Sequence, residues 1–382
     1  GVAAGSISCL AVMSELHLSR RTLLTGVAAA AATGGLGALA QAFASGRGTS
    51  SSSPVLVLLE LRGGNDGLNT LAPVADPAYR RARPTLALGN DAIALADGLA
   101  LHPALAPLAP LWRRGRLGFA LGVGWSSPKR SHFKAADQWA VGDASGEGAG
   151  WLARAYGARA QSGPLVALDA SGCAATEGGT PLALQLGPAQ LRGRSLQAPS
   201  PLVLEASPVL RQMIALESAG AQELERLRGV LAPPPVGLDL PPGSLGRQVA
   251  LALRLIGSGQ CPPVLALAQG GYDTHNNQGR RHQRVLNQLA LALAGLDAGL
   301  QAMKQRPALT LLAVSEFGRR LQENGSGGTD HGSASVALLM GDRISAPFFG
   351  TYPSLNNLDD RGDLQPTQSP EQLYRRVLAL GA

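Results

Sequence analysis

Runs of apolar residues alternate with polar, glycine-rich segments along the chain from residue 54 onward. Residues 55–61 form an aliphatic run with Glu60 as its one polar member, and it ends at Arg62-Gly63-Gly64. A run of this kind, bounded by turn residues, is typical of a strand that is covered on both faces. The same pattern predicts further strands at 117–123, 164–168, 264–269, 309–314 and 336–340.

Segments with helical periodicity lie between these runs. They cover residues 104–114, 132–141, 209–230, 245–258 and 281–305. Alternation of strands and helices predicts an α/β fold with a mostly parallel central sheet and helices on both of its faces.

The first 50 residues have the layout of an export signal. Arg20 and Arg21 precede a weakly hydrophobic Ala/Gly/Leu stretch, and a Ser-rich linker follows. Paired arginines before a modest apolar core favour a twin-arginine signal over a membrane span. We therefore expect a signal and linker at 1–50, a single domain at 51–382, the Tat translocase as export partner, and a periplasmic or secreted protein. No later run predicts a transmembrane segment.

Composition narrows the picture further. The chain has 382 residues, of which 45% are hydrophobic and 15% charged, which suits a sizeable core. The net charge of +7 comes from scattered arginines without interleaved aromatics, so we expect no nucleic-acid partner. After the signal two cysteines remain, Cys173 and Cys261, and an oxidising compartment permits a disulfide between them without requiring one.

Polar residues follow most of the predicted strands. Ligands of open α/β sheets bind beyond the carboxyl ends of the strands, so these residues are the candidates for chemistry. Carboxylate and imidazole groups are the ligands of a divalent, zinc-like ion. The candidate metal ligands are Asp66, Asp273, His275, Glu316, Asp330 and His331.

Several of these residues have a structural alternative. Asp66 lies in Gly-Asn-Asp-Gly, where an aspartate often binds its own backbone. Glu316 precedes two arginines and is open to a buried ion pair. Ser131 stands at a predicted helix start, where it is either an N-cap or a nucleophile.

Five segments together resemble the DUF1501 family, a family of unknown function. They are LRGGNDGLNT from Leu61, RSHF from Arg130, YDTH from Tyr272, SEFGR from Ser315 and GTDHG from Gly328. The resemblance spans residues 54–366 and implies a fold like that of the alkaline phosphatase and sulfatase superfamily. It also implies a two-metal site flanking a nucleophile.

The resemblance also implies roles for individual residues. Asp66 takes the place of the metal ligand after the first strand, and Ser131 takes that of the nucleophile. Asp273 and His275 correspond to the Asp/His pair of the first metal.

The sequence differs from the superfamily pattern at the Asp-His-Gly motif. By position, Glu316-Phe317-Gly318 replaces it, and His331 becomes the later histidine. Phe317 then stands where a histidine ligand is expected, which predicts a weakened or absent second metal site.

The leading hypothesis is an exported metal-dependent hydrolase of phosphate or sulfate esters. Ser131 attacks, and Arg62 or Arg130 clamps the anionic group. The alternative is a non-catalytic, metal-stabilised or partner-binding module of the same fold. A serine esterase is a third class, but Ser131 lacks the Gly-x-Ser-x-Gly elbow that such an enzyme needs.

Overall fold

The computed structural model describes residues 53–159, 163–187, 208–233 and 237–381. Within these ranges the main sheet has eight strands in the order β11-β5-β10-β9-β1-β8-β6-β7. They are β1 (Val55–Arg62), β5 (Leu117–Val123), β6 (Leu165–Ala167), β7 (Ala183–Gln185), β8 (Val264–Gly270), β9 (Leu309–Val314), β10 (Ser335–Gly341) and β11 (Phe348–Phe349). A small second sheet holds β2 (Leu71–Ala72), β3 (Ile93–Ala94) and β4 (Ala100–Leu101).

The helices of the described residues connect these strands. They are α1 (Gly67–Thr70), α2 (Pro77–Ala82), α3 (Ala109–Arg113), α4 (His132–Val141), α5 (Trp151–Gly157), α6 (Pro208–Val230), α7 (Ser244–Gly257), α8 (Gln278–Ala302) and α9 (Pro370–Leu380). The predicted helix at 104–114 is divided, because a 3-10 helix (Pro103–Leu108) containing Pro107 precedes α3.

Strand β1 occupies the middle of the main sheet and shows why both faces are covered. Its odd-numbered residues, such as Val57 and Leu59, belong to one apolar cluster with side chains of α7 and α8. Leu56 and Leu58 belong to a second cluster with side chains of α4, α5 and α9. Successive side chains of a strand point to opposite faces, so the continuous apolar run fills both layers. The mixed α/β fold with helices on both faces of the sheet is confirmed.

The direction of β10 differs from that of its neighbours. Strands β8 and β9 run parallel to β1, but β10 is antiparallel to both β9 and β5. The start of β10 therefore lies at the edge of the sheet where β5, β9, β1 and β8 end. Residues just before β10 consequently meet residues just after those strands.

The remaining expectations concern the N-terminal segment, the number of domains, membrane spans and the cysteines. The expected signal and linker at 1–50 lie outside the described residues, and the single domain at 51–382 stays a prediction. In the part of the chain that is described, no helix combines the length and apolar character needed to cross a bilayer. Cys173 and Cys261 are both buried free thiols, so the disulfide that composition permitted is not formed.

Candidate metal centre

Three histidines and an aspartate converge at this edge of the sheet. His132 is the first residue of α4, shortly after β5. Asp273 and His275 lie in the loop between β8 and α8, and His331 precedes β10. Ligand atoms of His132, Asp273 and His331 all lie within 4.8 Å of one another. His275 adjoins this group, because its Nε2 lies 2.9 Å from His331 Nε2 and 3.2 Å from Asp273 Oδ1.

The Nδ1 atom of each histidine, which points away from the cluster, faces an oxygen acceptor. Nδ1 of His331 lies 2.9 Å from the Arg130 carbonyl oxygen, and Nδ1 of His132 lies 2.7 Å from Glu316 Oε1. Nδ1 of His275 lies 3.4 Å from Asp330 Oδ1. An acceptor at Nδ1 selects the tautomer that carries its proton there, which leaves Nε2 with a free lone pair. The three Nε2 atoms thus present lone pairs toward Asp273.

The facing nitrogens of His275 and His331 are the decisive contact. At 2.9 Å, two unprotonated nitrogens bring their lone pairs together, which is unfavourable unless a proton or a metal ion lies between them. In metal sites, a carboxylate or carbonyl oxygen that accepts from the non-ligating ring N–H orients the histidine ligand in this way. The donor set therefore fits a divalent cation.

The protonation states also suit a cation. Burial alone raises the pKa of Asp273, but the hydrogen bond and charge of Arg319 outweigh it and hold that pKa below its ordinary value. Burial lowers the pKa of His331, and this outweighs the Arg130 carbonyl, which raises it. Near neutral pH the carboxylate is ionised and the imidazole is neutral, which are the forms that bind metals.

Arg319 ties the loops of the site together. Its buried guanidinium donates to the carbonyl oxygens of Gly64 (2.7 Å) and Thr329 (2.7 Å) and to Asp273 Oδ1 (2.8 Å). These partners come from the segments after β1, before β10 and after β8. Gly63 allows the first of these segments to approach, since it has a positive φ of 118° and an added Cβ would collide with the backbone nitrogen of Asp273.

Glu316 and Asp330 stand behind the histidines. Glu316 also accepts from the Gly63 backbone N–H (2.8 Å), so the ion pair with a neighbouring arginine that its sequence left open is replaced by His132 and Gly63. Asp330 accepts from Asn324 Nδ2 (3.1 Å), and the Asn324 hydrogen bond is the main cause of the lowered pKa of Asp330. Both carboxylates therefore orient imidazoles in this arrangement.

Asp66 lies apart from the cluster. Its buried carboxylate forms an ion pair with Arg83 (2.5 Å) and accepts from Gln278 Nε2. Burial raises the pKa of Asp66, but the charge of Arg83 outweighs it and lowers that pKa overall. Its partners are thus an arginine and an amide, and not its own backbone as the turn reading expected.

The expected nucleophile, Ser131, is exposed, and the two expected anion-binding arginines form ion pairs. Ser131 is the exposed N-cap residue of α4, but its side chain makes no capping hydrogen bond. Arg130 forms an ion pair with Asp363. Arg62 forms ion pairs with Glu60 (2.6 Å) and Asp169 (2.9 Å). Both arginines are therefore engaged with carboxylates.

Two members of the site escaped the sequence analysis. His132 was visible in Arg-Ser-His-Phe but was not assigned a ligand role, although it follows a strand and begins a helix, as Ser131 does. Arg319 gave no signal beyond its position after Glu316, because the sequence does not show which of the scattered arginines is buried.

Phe317 packs its ring 4.5 Å from that of His331 and 4.9 Å from that of His132, measured between centroids.

A buried histidine outside the cluster predicts that folding stability falls in acid. His282 lies in α8, its Nε2 is 2.9 Å from Asn65 Oδ1, and its Nδ1 has no partner among the described residues. Burial lowers the pKa of His282 to about 3 from 6.5. Between these two values the unfolded chain binds a proton that the folded chain excludes. The free energy of unfolding therefore keeps its full value above pH 6.5 and falls toward pH 3, by about 1.4 kcal/mol per pH unit.

We expect His282→Gln to flatten this part of the stability profile. Urea unfolding at pH 7.0 and pH 5.0 measures the effect, and the loss between the two pH values should be smaller in the variant than in the wild type. Gln283→Ala, at an exposed position of the same helix, is the control because it removes no buried titratable group. Equal losses in wild type and His282→Gln would contradict the assignment.

Comparison with known sequences agrees with one part of this picture. Residues 210–358 match the family described as "Protein of unknown function (DUF1501)". This segment contains Asp273, His275, Glu316 and His331 and stops short of His132 on the N-terminal side, so it supports the family resemblance over the second half of the site. A search of curated proteins gave no match.

Proposed function

We propose that the chain is an exported metal-dependent hydrolase of phosphate or sulfate esters. His132, Asp273, His275 and His331 hold one zinc-like divalent ion. The observation that carries the proposal is the approach of two imidazole Nε2 atoms to 2.9 Å while acceptors occupy their Nδ1 atoms. A divalent cation would accept both lone pairs, whereas without it one of the two histidines must carry its proton at Nε2 and give up donation from Nδ1.

The spacing of the donor atoms supports a single small ion. Tetrahedral ligands about 2.1 Å from zinc lie about 3.4 Å from one another. The Asp273 carboxylate lies 3.6 Å from His132 Nε2, 3.6 Å from His331 Nε2 and 3.2 Å from His275 Nε2. Phe317, at the position where the resemblance expects a histidine, favours one metal over two.

The residues around the cluster have distinct tasks in this proposal. When bound, the divalent ion would act as a Lewis acid toward an ester oxygen. Ser131 is the nucleophile, because it adjoins His132 at the N-terminus of α4, where the helix dipole favours an alkoxide. Arg62 holds the anionic group, because it lines the same pocket as His132 and Asp273.

Export by the twin-arginine route and the alkaline-phosphatase-like fold belong to the same proposal. The export route rests on the Arg20-Arg21 motif, and the alkaline-phosphatase-like fold rests on the family resemblance. Export by this route would deliver folded, metal-loaded protein to the periplasm or the cell exterior.

A non-catalytic module is the second candidate, and one observation favours it. Four side-chain donors converge, and structural zinc sites are closed by four protein ligands, whereas catalytic sites keep an open position. Against it, the side chains of Asp273 and His275 are 49% and 42% exposed, so the cluster remains open to solvent.

Turnover by the metal-loaded full chain separates the two candidates. We expect hydrolysis of aryl phosphates or aryl sulfates, and we expect Ser131→Ala to lower kcat by at least about 100-fold while metal content stays unchanged. Ser145→Ala, at an exposed serine outside the cluster, is the matched control. Bound metal without turnover on either ester class would support the non-catalytic module.

A further inference from the structure

A pocket of about 380 Å³ adjoins the histidine cluster. It lies between the carboxyl ends of β1 and β9 and the face of α4 that carries His132, Ala136 and Trp139. These residues recur at the spacing that places them on one side of a helix. Trp151 of α5 and Tyr374 of α9 close the far wall. The volume falls in the range of small-molecule sites.

The far wall of the pocket is apolar and rigid. The rings of Trp151 and Tyr374 stack with centroids 4.1 Å apart, and Tyr374 donates its hydroxyl to the Trp139 carbonyl oxygen (2.8 Å). Phe133 also lines the pocket but is 85% exposed, the one large hydrophobic side chain in the described ranges that is this open. An aromatic ring that borders a pocket and faces water is positioned to cover an apolar guest.

The near wall is polar and is shared with the metal centre. His132, Asp273 and Glu316 line it, together with Glu60 and Arg62. The only guanidinium among these lining residues is that of Arg62, which the proposed function already assigns to the anionic end of the ester. No cation is therefore left over for a second anionic group deeper in the pocket, and a charged tail would be desolvated without a partner.

We infer that this pocket binds the uncharged, apolar group of an ester whose polar end reaches the His132–Asp273 wall. The occupant is an aryl or cycloalkyl group of one or two rings. The inference rests on the proposed function for the polar end of the substrate and extends it to the substrate class. It predicts selection for amphipathic esters over small hydrophilic ones.

The first test uses 1-naphthol and the metal-free full chain, so that it reads the pocket alone. We expect saturable binding by calorimetry, and at least about tenfold weaker binding in Ala136→Trp, because the indole fills the pocket from an exposed helix position. Phe133→Ala should also weaken binding, and it removes atoms without adding bulk. Ala298→Trp, the same change at an exposed alanine of α8, should bind as the wild type does.

The second test uses 1-naphthyl phosphate and methyl phosphate with the metal-loaded chain. We expect preference for the naphthyl ester, on the order of tenfold or more, and loss of that preference in Ala136→Trp. Absence of naphthol binding, or equal binding by wild type and both pocket variants, would overturn the inference while leaving the metal site intact. Naphthol binding without turnover of 1-naphthyl phosphate or 1-naphthyl sulfate would instead overturn the hydrolase and leave the apolar pocket in place.

Discussion

His331→Ala is expected to abolish near-stoichiometric metal binding by the purified chain. His331 Nε2 adjoins both His275 Nε2 and Asp273, so its removal deletes the donor that joins the other ligands. Loss of an outer-shell partner alone costs about 10- to 100-fold in metal affinity, and loss of a ligand should cost more. Elemental analysis after dialysis, followed by a competition titration with a zinc chelator, measures the effect.

Two further variants serve as a control and as an intermediate case for this experiment. His102→Ala makes the same change at a histidine that accepts from the Ala104 backbone N–H, so it should leave metal content unchanged. Glu316→Gln keeps shape but weakens the partner of His132 Nδ1, so it should reduce affinity by about 10- to 100-fold without abolishing binding. Full metal content in His331→Ala would contradict the centre, and the strand-end residues would then have a structural role.

Arg83→Met is expected to give the largest loss of stability. The Arg83 and Asp66 side chains are both fully buried, and Arg83 also donates to Asn69 Oδ1 (2.7 Å) and to the Leu321 carbonyl oxygen (2.8 Å). Removing one partner of a buried ion pair leaves an uncompensated charge and costs about 3–5 kcal/mol. Urea unfolding at pH 7 measures the loss of unfolding free energy.

Arg80→Met and a double variant test the cause of that loss. Arg80 is exposed on α2, the helix that ends just before Arg83, so its change to Met should cost no more than about 0.5 kcal/mol. Adding Asp66→Asn to Arg83→Met should recover part of the stability, because the unpaired charge is removed. Asp66→Asn alone should leave metal content unchanged, since Asp66 is bound by Arg83. Metal loss in that variant would restore Asp66 as a ligand.

The long apolar runs carried most of the information about the fold. The sequence predicts the strand at 309–314 and the helix at 132–141 at their observed bounds, because mostly apolar runs and helical periodicity mark buried elements directly. Strand direction was beyond reach, since the apolar residues of β10 read the same in a parallel and in an antiparallel strand. The two-residue strands of the small sheet were too short to show alternation.

Convergence of the site could be predicted, but the division of roles could not. Asp273, His275 and His331 lie close together, because their loops share one edge of the sheet. The sequence does not distinguish a donor from the residue behind it: Glu316 and Asp330 face Nδ1 atoms, while His132 faces the cluster. That difference depends on side-chain orientation, which loop packing around Arg319 decides.

The central position of β1 has a consequence for how the chain reaches its native state. Leu56 pairs with Val264 and Val55 pairs with Leu309, so the first strand of the main sheet must wait for partners that are synthesised much later. Closing such long loops before any pairing is gained slows folding. Until then β1 has apolar side chains on both faces and two unpaired edges, which makes the incomplete chain prone to aggregation. The sheet cannot be completed until the C-terminal half of the chain is available.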